Sequence, residues 1–103
     1  MKTANIKIVT IIAEPVLAAT LISLAQELGA SGYTSTDVRG EGSGEKNSGE
    51  VPDMKVKIEI LAENGLANKI MAQIAADYFE NYSLVIYTND VHVFRAEKFS
   101  DQI

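Results

Sequence analysis

The chain has 103 residues, 47% of them hydrophobic, which suits one small soluble core. Its 14 acidic against 9 basic residues give a formal net charge of −5, which excludes sequence-independent binding to nucleic acid through a basic face. Cysteine is absent, so no disulfide, thiolate nucleophile or Cys-based metal site can form.

Asn5 to Ala13 is rich in Ile and Val at both alternating positions, with Thr10 embedded, and predicts a central strand covered on both faces. Glu14 and Pro15 end this apolar patch before it reaches membrane-spanning length, and no basic leader precedes it. The chain is therefore expected to be cytoplasmic. Pro15 also suits the first turn of a helix, where its missing N–H is not needed. Leu17, Leu21, Leu24 and Leu28 then form one apolar stripe, with Gly29 as its C-terminal stop.

Tyr33 to Arg39 predicts a second strand with one wet or ligand-facing side. From Gly40 to Gly49 there are four glycines, two glutamates, two serines, one lysine and one asparagine, and no apolar anchor follows until Val51. Such a segment buries too little apolar surface to offset its ordering entropy, so a long exposed loop over about 40–53 is expected to carry function.

Met54 to Ala62 alternates, with Met54, Val56, Ile58 and Ile60 on one face and Lys55, Lys57, Glu59 and Leu61 on the other. Gly65 to Tyr78 places Ala67, Ile70, Met71, Ile74, Ala75 and Tyr78 at helical spacing, with Asn68, Lys69, Gln73 and Asp77 facing out. Leu84 to Thr88 and Val91 to Phe94 read as two short strands joined by a tight turn at Asn89-Asp90. This order predicts an α+β fold, ferredoxin-like βαββαβ plus a short terminal strand, with both helices on one face of an antiparallel sheet. Residues 1–103 are read as a single domain. The face without helices is expected to be covered by sister subunits.

No motif in the sequence supports catalysis. Gly40-Glu41-Gly42-Ser43-Gly44 follows a strand, but no helix follows and no GKS or GKT ending is present, so it is neither a dinucleotide fingerprint nor a P-loop. His92, the sole histidine, lies in a strand run and is expected to be structural. Asp37, Glu41, Glu45, Glu50 and Asp53 lack the spacing of a calcium loop and read as a solvated acidic segment. Ser43 and Ser48 have no neighbouring histidine and no nucleophile elbow. Tyr78, Phe79, Tyr82 and Tyr87 are expected to lie mostly in the core, although any one of them can flank a planar ligand.

Gly32-Tyr33-Thr34, Asp37-Val38-Arg39-Gly40-Glu41-Gly42 and Lys55-Val56-Lys57-Ile58-Glu59-Ile60, in this order around a long loop, resemble the PII signalling superfamily. The tail YFENYSLVIYTNDVHVFRAEKF is similar to PII-like proteins of the SbtB and carboxysome-associated type. The resemblance implies a homotrimer with nucleotide sites in the clefts between subunits and a T-loop, here about residues 40–53, that responds to the bound adenine nucleotide. Carried over position by position, it implies that Gly32, Thr34, Glu59 and Leu61 line an adenine pocket. Gly40, Glu41, Gly42 and Ser43 then form the loop base near ribose and phosphates, Arg95 is the phosphate cation, with Lys46 as a second favourable charge, and Tyr87 is a further site residue.

The chain departs from nitrogen-sensing PII proteins in having AADYFENYSLVIY where they have TGKIGDGK, and its loop has no tyrosine for uridylylation. It also lacks the paired cysteines that often end SbtB proteins. AMP, ADP or cyclic AMP is therefore expected rather than ATP with 2-oxoglutarate, and no hydrolysis is carried over. No tightly bound cofactor is implied, and bicarbonate is a co-ligand of the family type. The partner implied is a membrane bicarbonate transporter or a carboxysome-associated protein. The alternative is a CutA-like trimeric structural or metal-associated protein, a reading that needs histidines or cysteines this sequence lacks.

Overall fold

The structure, a computed structural model, describes residues 3–41 and 53–99. Its elements are β1 (Thr3–Ala13), a 3-10 turn (Pro15–Leu17), α1 (Ala18–Leu28), β2 (Thr34–Gly40), β3 (Asp53–Ala62), α2 (Asn64–Tyr78), β4 (Val85–Phe94) and a second 3-10 turn (Ala96–Phe99). The strands form one sheet in the order β2-β3-β1-β4, with every neighbouring pair antiparallel. This is the expected ferredoxin-like α+β architecture.

The alternation of β1 and β3 sets the inward face. Val9, Ile11 and Ala13 on β1 lie opposite Ile60, Ile58 and Val56 on β3, and all six are buried. Leu21 and Ala25 of α1 and Leu66, Ala67, Ile70 and Ile74 of α2 complete this core. The leucine stripe of α1 is thus centred on Leu17, Leu21 and Ala25, with Leu24 and Leu28 at its margin. Leu17 belongs to the 3-10 turn, whose N–H donates to the Glu14 carbonyl at 3.0 Å. Met54 has the inward parity of its strand but is 48% exposed, because it precedes the stretch the helices cover. Lys55, expected outward, lies on the helix-free face and is nevertheless buried.

Two expectations are overturned at the C-terminal end. Asn89-Asp90 is no turn: both residues sit inside the continuous β4, opposite Ile8 and Lys7. The pairing reaches from Val85 to Phe94, and the Asp90 carboxylate accepts from Lys7 Nζ at 2.5 Å across the strands. The short terminal strand expected over Val91 to Phe94 is the second half of β4, and a 3-10 turn follows it. The aromatic cluster is also more open than expected. Tyr78 packs against the core, but Phe79, Tyr82 and Tyr87 are 52%, 45% and 44% exposed.

Gly29 ends α1 with φ 123°, and its N–H reaches back to the Gln26 carbonyl at 3.0 Å. A Cβ there would meet Leu66 Cδ1 at 3.8 Å, an ordinary contact, so the cost of a side chain is in the backbone. Gly29→Ala is expected to lower stability by about 1–2 kcal/mol in urea denaturation. An unchanged midpoint would mean that the helix end relaxes freely.

Candidate functional site

α1 stops at Gly29, and residues 30–33 connect it to Thr34, which joins the ladder opposite Glu59. The last residues of β3 lie beside that junction, Leu61 opposite Ile8 of β1. Arg95, directly after β4, has φ 64°, a left-handed conformation uncommon for a residue with a side chain. The chain turns there into the 3-10 segment, closed by the Lys98 N–H donating to the Arg95 carbonyl at 3.3 Å.

Two adjoining clefts result. The first, of about 290 Å³, is lined by Ser31, Gly32, Tyr33, Thr34, Glu59, Leu61, Lys98 and Phe99. The second, of about 370 Å³, is lined by Leu61, Val93, Phe94, Arg95, Lys98 and Phe99. Leu61, Lys98 and Phe99 belong to both, so they form the divide between one lobe rich in polar and aromatic groups and another that is apolar with cations. Pockets of this size suit small organic ligands. A Cβ at Gly32 would meet nothing within 4 Å, so the space above this backbone is open within the chain.

Of the residues singled out in the sequence, Gly32, Thr34, Glu59 and Leu61 meet in the first cleft and Arg95 lies in the second. Gly40 and Glu41 are elsewhere. Thr34 and Gly40 are the two ends of β2, ~20 Å apart at the rise of an extended strand. Tyr87 shares a cross-strand row with Thr34, Glu59 and Thr10, but it is two strands from Glu59, roughly 10 Å away, and lines neither cleft. Gly42 and Ser43 lie outside the described residues, as do Glu45, Lys46, Ser48 and Glu50.

Sequence reasoning missed Ser31, Tyr33, Lys98 and Phe99. The signal available for the last two was a cation and an aromatic ring placed side by side just after a strand.

His92 is exposed on β4, where its Nδ1 is 2.7 Å from Asn5 Oδ1 and its ring meets Phe94 edge-on at 6.1 Å. These are structural contacts. Among the described residues no group of three His, Asp or Glu side chains is placed to hold a metal ion, and no helix is long and apolar enough to cross a membrane.

Residues 6–98 match the family nitrogen regulatory protein P-II, and the chain belongs to that family. It is similar to the PII-like protein TTHA0516 of Thermus thermophilus, with 34% identity over 96% of this chain and 99% of that one and a TM-score of 0.82. It is also similar to CPII of Thiomonas intermedia in a structure bound to ADP, AMP and acetate, with 26% identity, 96% and 98% of the two chains covered and a TM-score of 0.82. A second CPII structure, bound to ADP and bicarbonate, shares 25% identity over 95% and 97% of the two chains at a TM-score of 0.81. The chain is thus a PII-like signalling protein, and the CutA-like alternative falls away.

Proposed function

We propose that this protein binds an adenine nucleotide, AMP, ADP or cyclic AMP, in clefts between the subunits of a homotrimer and signals to a partner through the loop at about 40–53. The observation that carries this reading is the division of its candidate residues. Gly32, Thr34, Glu59 and Leu61 gather at one end of β2 while Gly40 and Glu41 stand at the other, ~20 Å away. One mononucleotide cannot touch both ends of the same strand. Two chains packed side by side place the loop base of one against the cleft of the next.

The helix-free sheet face supports assembly. Ile8, Ile12, Val91 and Val93 are only partly buried there, and Val85 is 56% exposed. Removing such a face from water is favourable by roughly 25 cal/mol per Å². The nucleotide-bound CPII structures support the ligand class.

On this reading the whole of residues 1–103 is one PII-like domain that acts by binding rather than catalysis, with bicarbonate as a small co-ligand. Glu59 and the polar backbone of residues 31–34 face the base, with Arg95 toward the phosphates and Tyr87 reaching a site from the sheet face. The loop-base residues Gly42 and Ser43 complete the set. The partner is a membrane bicarbonate transporter or a carboxysome-associated protein, met in the cytoplasm by the loop.

Calorimetry with AMP, ADP, ATP, cyclic AMP and GTP, paired with light scattering, tests both parts. The expected mass is three times the chain's 11.2 kDa, with adenine nucleotides bound in preference to GTP. A monomer at micromolar concentration removes the intersubunit cleft, and GTP binding as tightly as ATP removes the adenine assignment.

A further inference from the structure

The C-terminal corner of α2 joins exposed aromatic rings to carboxylates. The helix ends at Tyr78, and the chain curls on through Phe79 to Tyr82, whose N–H donates to the Tyr78 carbonyl at 2.9 Å. The Tyr78 and Tyr82 rings lie 5.5 Å apart, and Tyr78, packed against the core, anchors the pair. Phe79 and Tyr82 remain exposed, as do Asp77 and Glu80, which are interleaved with them in the sequence. Asp77 accepts from Gln73 Nε2 at 3.0 Å, one turn back. No Lys, Arg or His occurs between Lys69 and His92. The end of a helix carries the negative pole of its backbone dipole and favours cations in the last turn. α2 has no basic residue there, so this segment holds negative charge with no cation of its own.

We propose that this corner is a docking surface for a segment of a partner protein that carries an arginine flanked by apolar residues. The proposal goes beyond the nucleotide reading and does not depend on it. Charge complementarity selects the occupant. A guanidinium stacks its plane on an aromatic face while its N–H groups donate to carboxylate oxygens, and the corner offers both within one turn of chain. A phosphate-bearing surface, lipid or nucleic acid, is repelled by the same carboxylates. Phe79 and Tyr82 supply the contact area, and Asp77 and Glu80 select the sign of the charge. The corner also lies at the end of the sheet from which the loop at about 40–53 departs: Val85 pairs with Ile12, and the next residue, Ala13, pairs with Val56 near the start of β3. A partner that meets the loop can therefore rest on this corner at the same time, the loop giving the contact that changes and the corner one that stays.

The test titrates the full-length protein into a short fluorescent peptide built of leucine and arginine, and into its lysine and glutamate counterparts of the same spacing, by fluorescence anisotropy. Phosphatidylserine vesicles are a further probe, and light scattering follows the assembled mass. The arginine peptide is expected to bind more tightly than the lysine peptide, and the glutamate peptide and the vesicles not to bind. Phe79→Ser and Glu80→Gln are each expected to weaken the arginine peptide by about three- to tenfold. Glu27→Gln, the same change of charge on the exposed surface of α1, is expected to leave it unchanged. Should Phe79→Ser fail to fold, Glu80→Gln against Glu27→Gln still decides. Equal losses in those two variants reduce the effect to net charge and overturn the proposal, as does an arginine peptide that does not bind. Vesicle binding that Phe79→Ser abolishes makes the corner a membrane surface, and a smaller assembled mass in Phe79→Ser makes it a contact between copies; either overturns the proposal.

Discussion

Replacing Ile58 by alanine is expected to lower the unfolding free energy by about 3–5 kcal/mol, the upper part of the range for such truncations. Ile58 is fully buried, at 0% exposure, in the middle of β3. Its backbone is paired on one side with Ile11 of β1 and on the other with Ser35 of β2, so the strand cannot move in to fill a void. Its inward neighbours along the strand, Val56 and Ile60, are themselves buried against α1 and α2. The cavity therefore stays open, and its cost adds to the lost transfer energy. Total stability for a domain is about 5–15 kcal/mol, so this one change removes a large share of it. Met54→Ala is the control. It has the same strand parity but is 48% exposed, and should cost about 1 kcal/mol or less. Urea denaturation at a fixed protomer concentration, needed because assembly adds to apparent stability, separates the two. Similar losses for both would mean that Ile58 is not packed in the core.

Arg95→Ala is expected to weaken ADP by about 10- to 150-fold, corresponding to a charge-assisted bond of roughly 1.5–3 kcal/mol, and to leave adenosine nearly unchanged. Two properties of one residue must be separated here. Arg95 supplies a cation to the second cleft, and its backbone, at φ 64°, turns the chain out of β4. Alanine removes the charge but keeps a Cβ in a left-handed conformation, whereas glycine removes the charge and adopts that conformation freely. Arg95→Gly should thus be at least as stable as Arg95→Ala and lose ADP affinity to the same extent. If ADP and adenosine fall together in both variants, Arg95 serves folding or assembly and not the phosphates.

Patterns tied to burial were legible in the sequence. The alternation of Val56, Ile58 and Ile60 and the helical spacing of Ala67, Ile70 and Ile74 have one low-energy solution, with those side chains facing a shared core. Signals that depend on partners misled. Asn89 and Asp90 have turn chemistry, yet a full ladder with β1 and the ion pair to Lys7 hold them in a strand, because tertiary pairing outweighs local preference. The hydrophobicity of Phe79, Tyr82 and Tyr87 suggested a core, yet among the described residues none covers them fully. Half of the candidate site was readable because Thr34 and Glu59 are fixed by strand register. Lys98 and Phe99 were not, since their place depends on a left-handed turn at an arginine, a conformation that residue type does not announce.

The separation of Thr34 from Gly40 along β2 has a thermodynamic consequence in the proposed trimer. Each chain would serve two ligands at once, giving its cleft to one and its loop base to another, with a rigid antiparallel pair, β2 and β3, running between them. Occupancy is then linked to assembly: a nucleotide that bridges two chains opposes their dissociation, so trimer stability should rise with free ligand as RT ln(1 + [L]/Kd) for each site. In that assembly the three sites would form a closed ring of shared elements, so the affinity measured at one need not be the affinity left at the next. A ligand titration that departs from a single-site isotherm, by an amount that depends on how many sites are filled, is the signature of that ring.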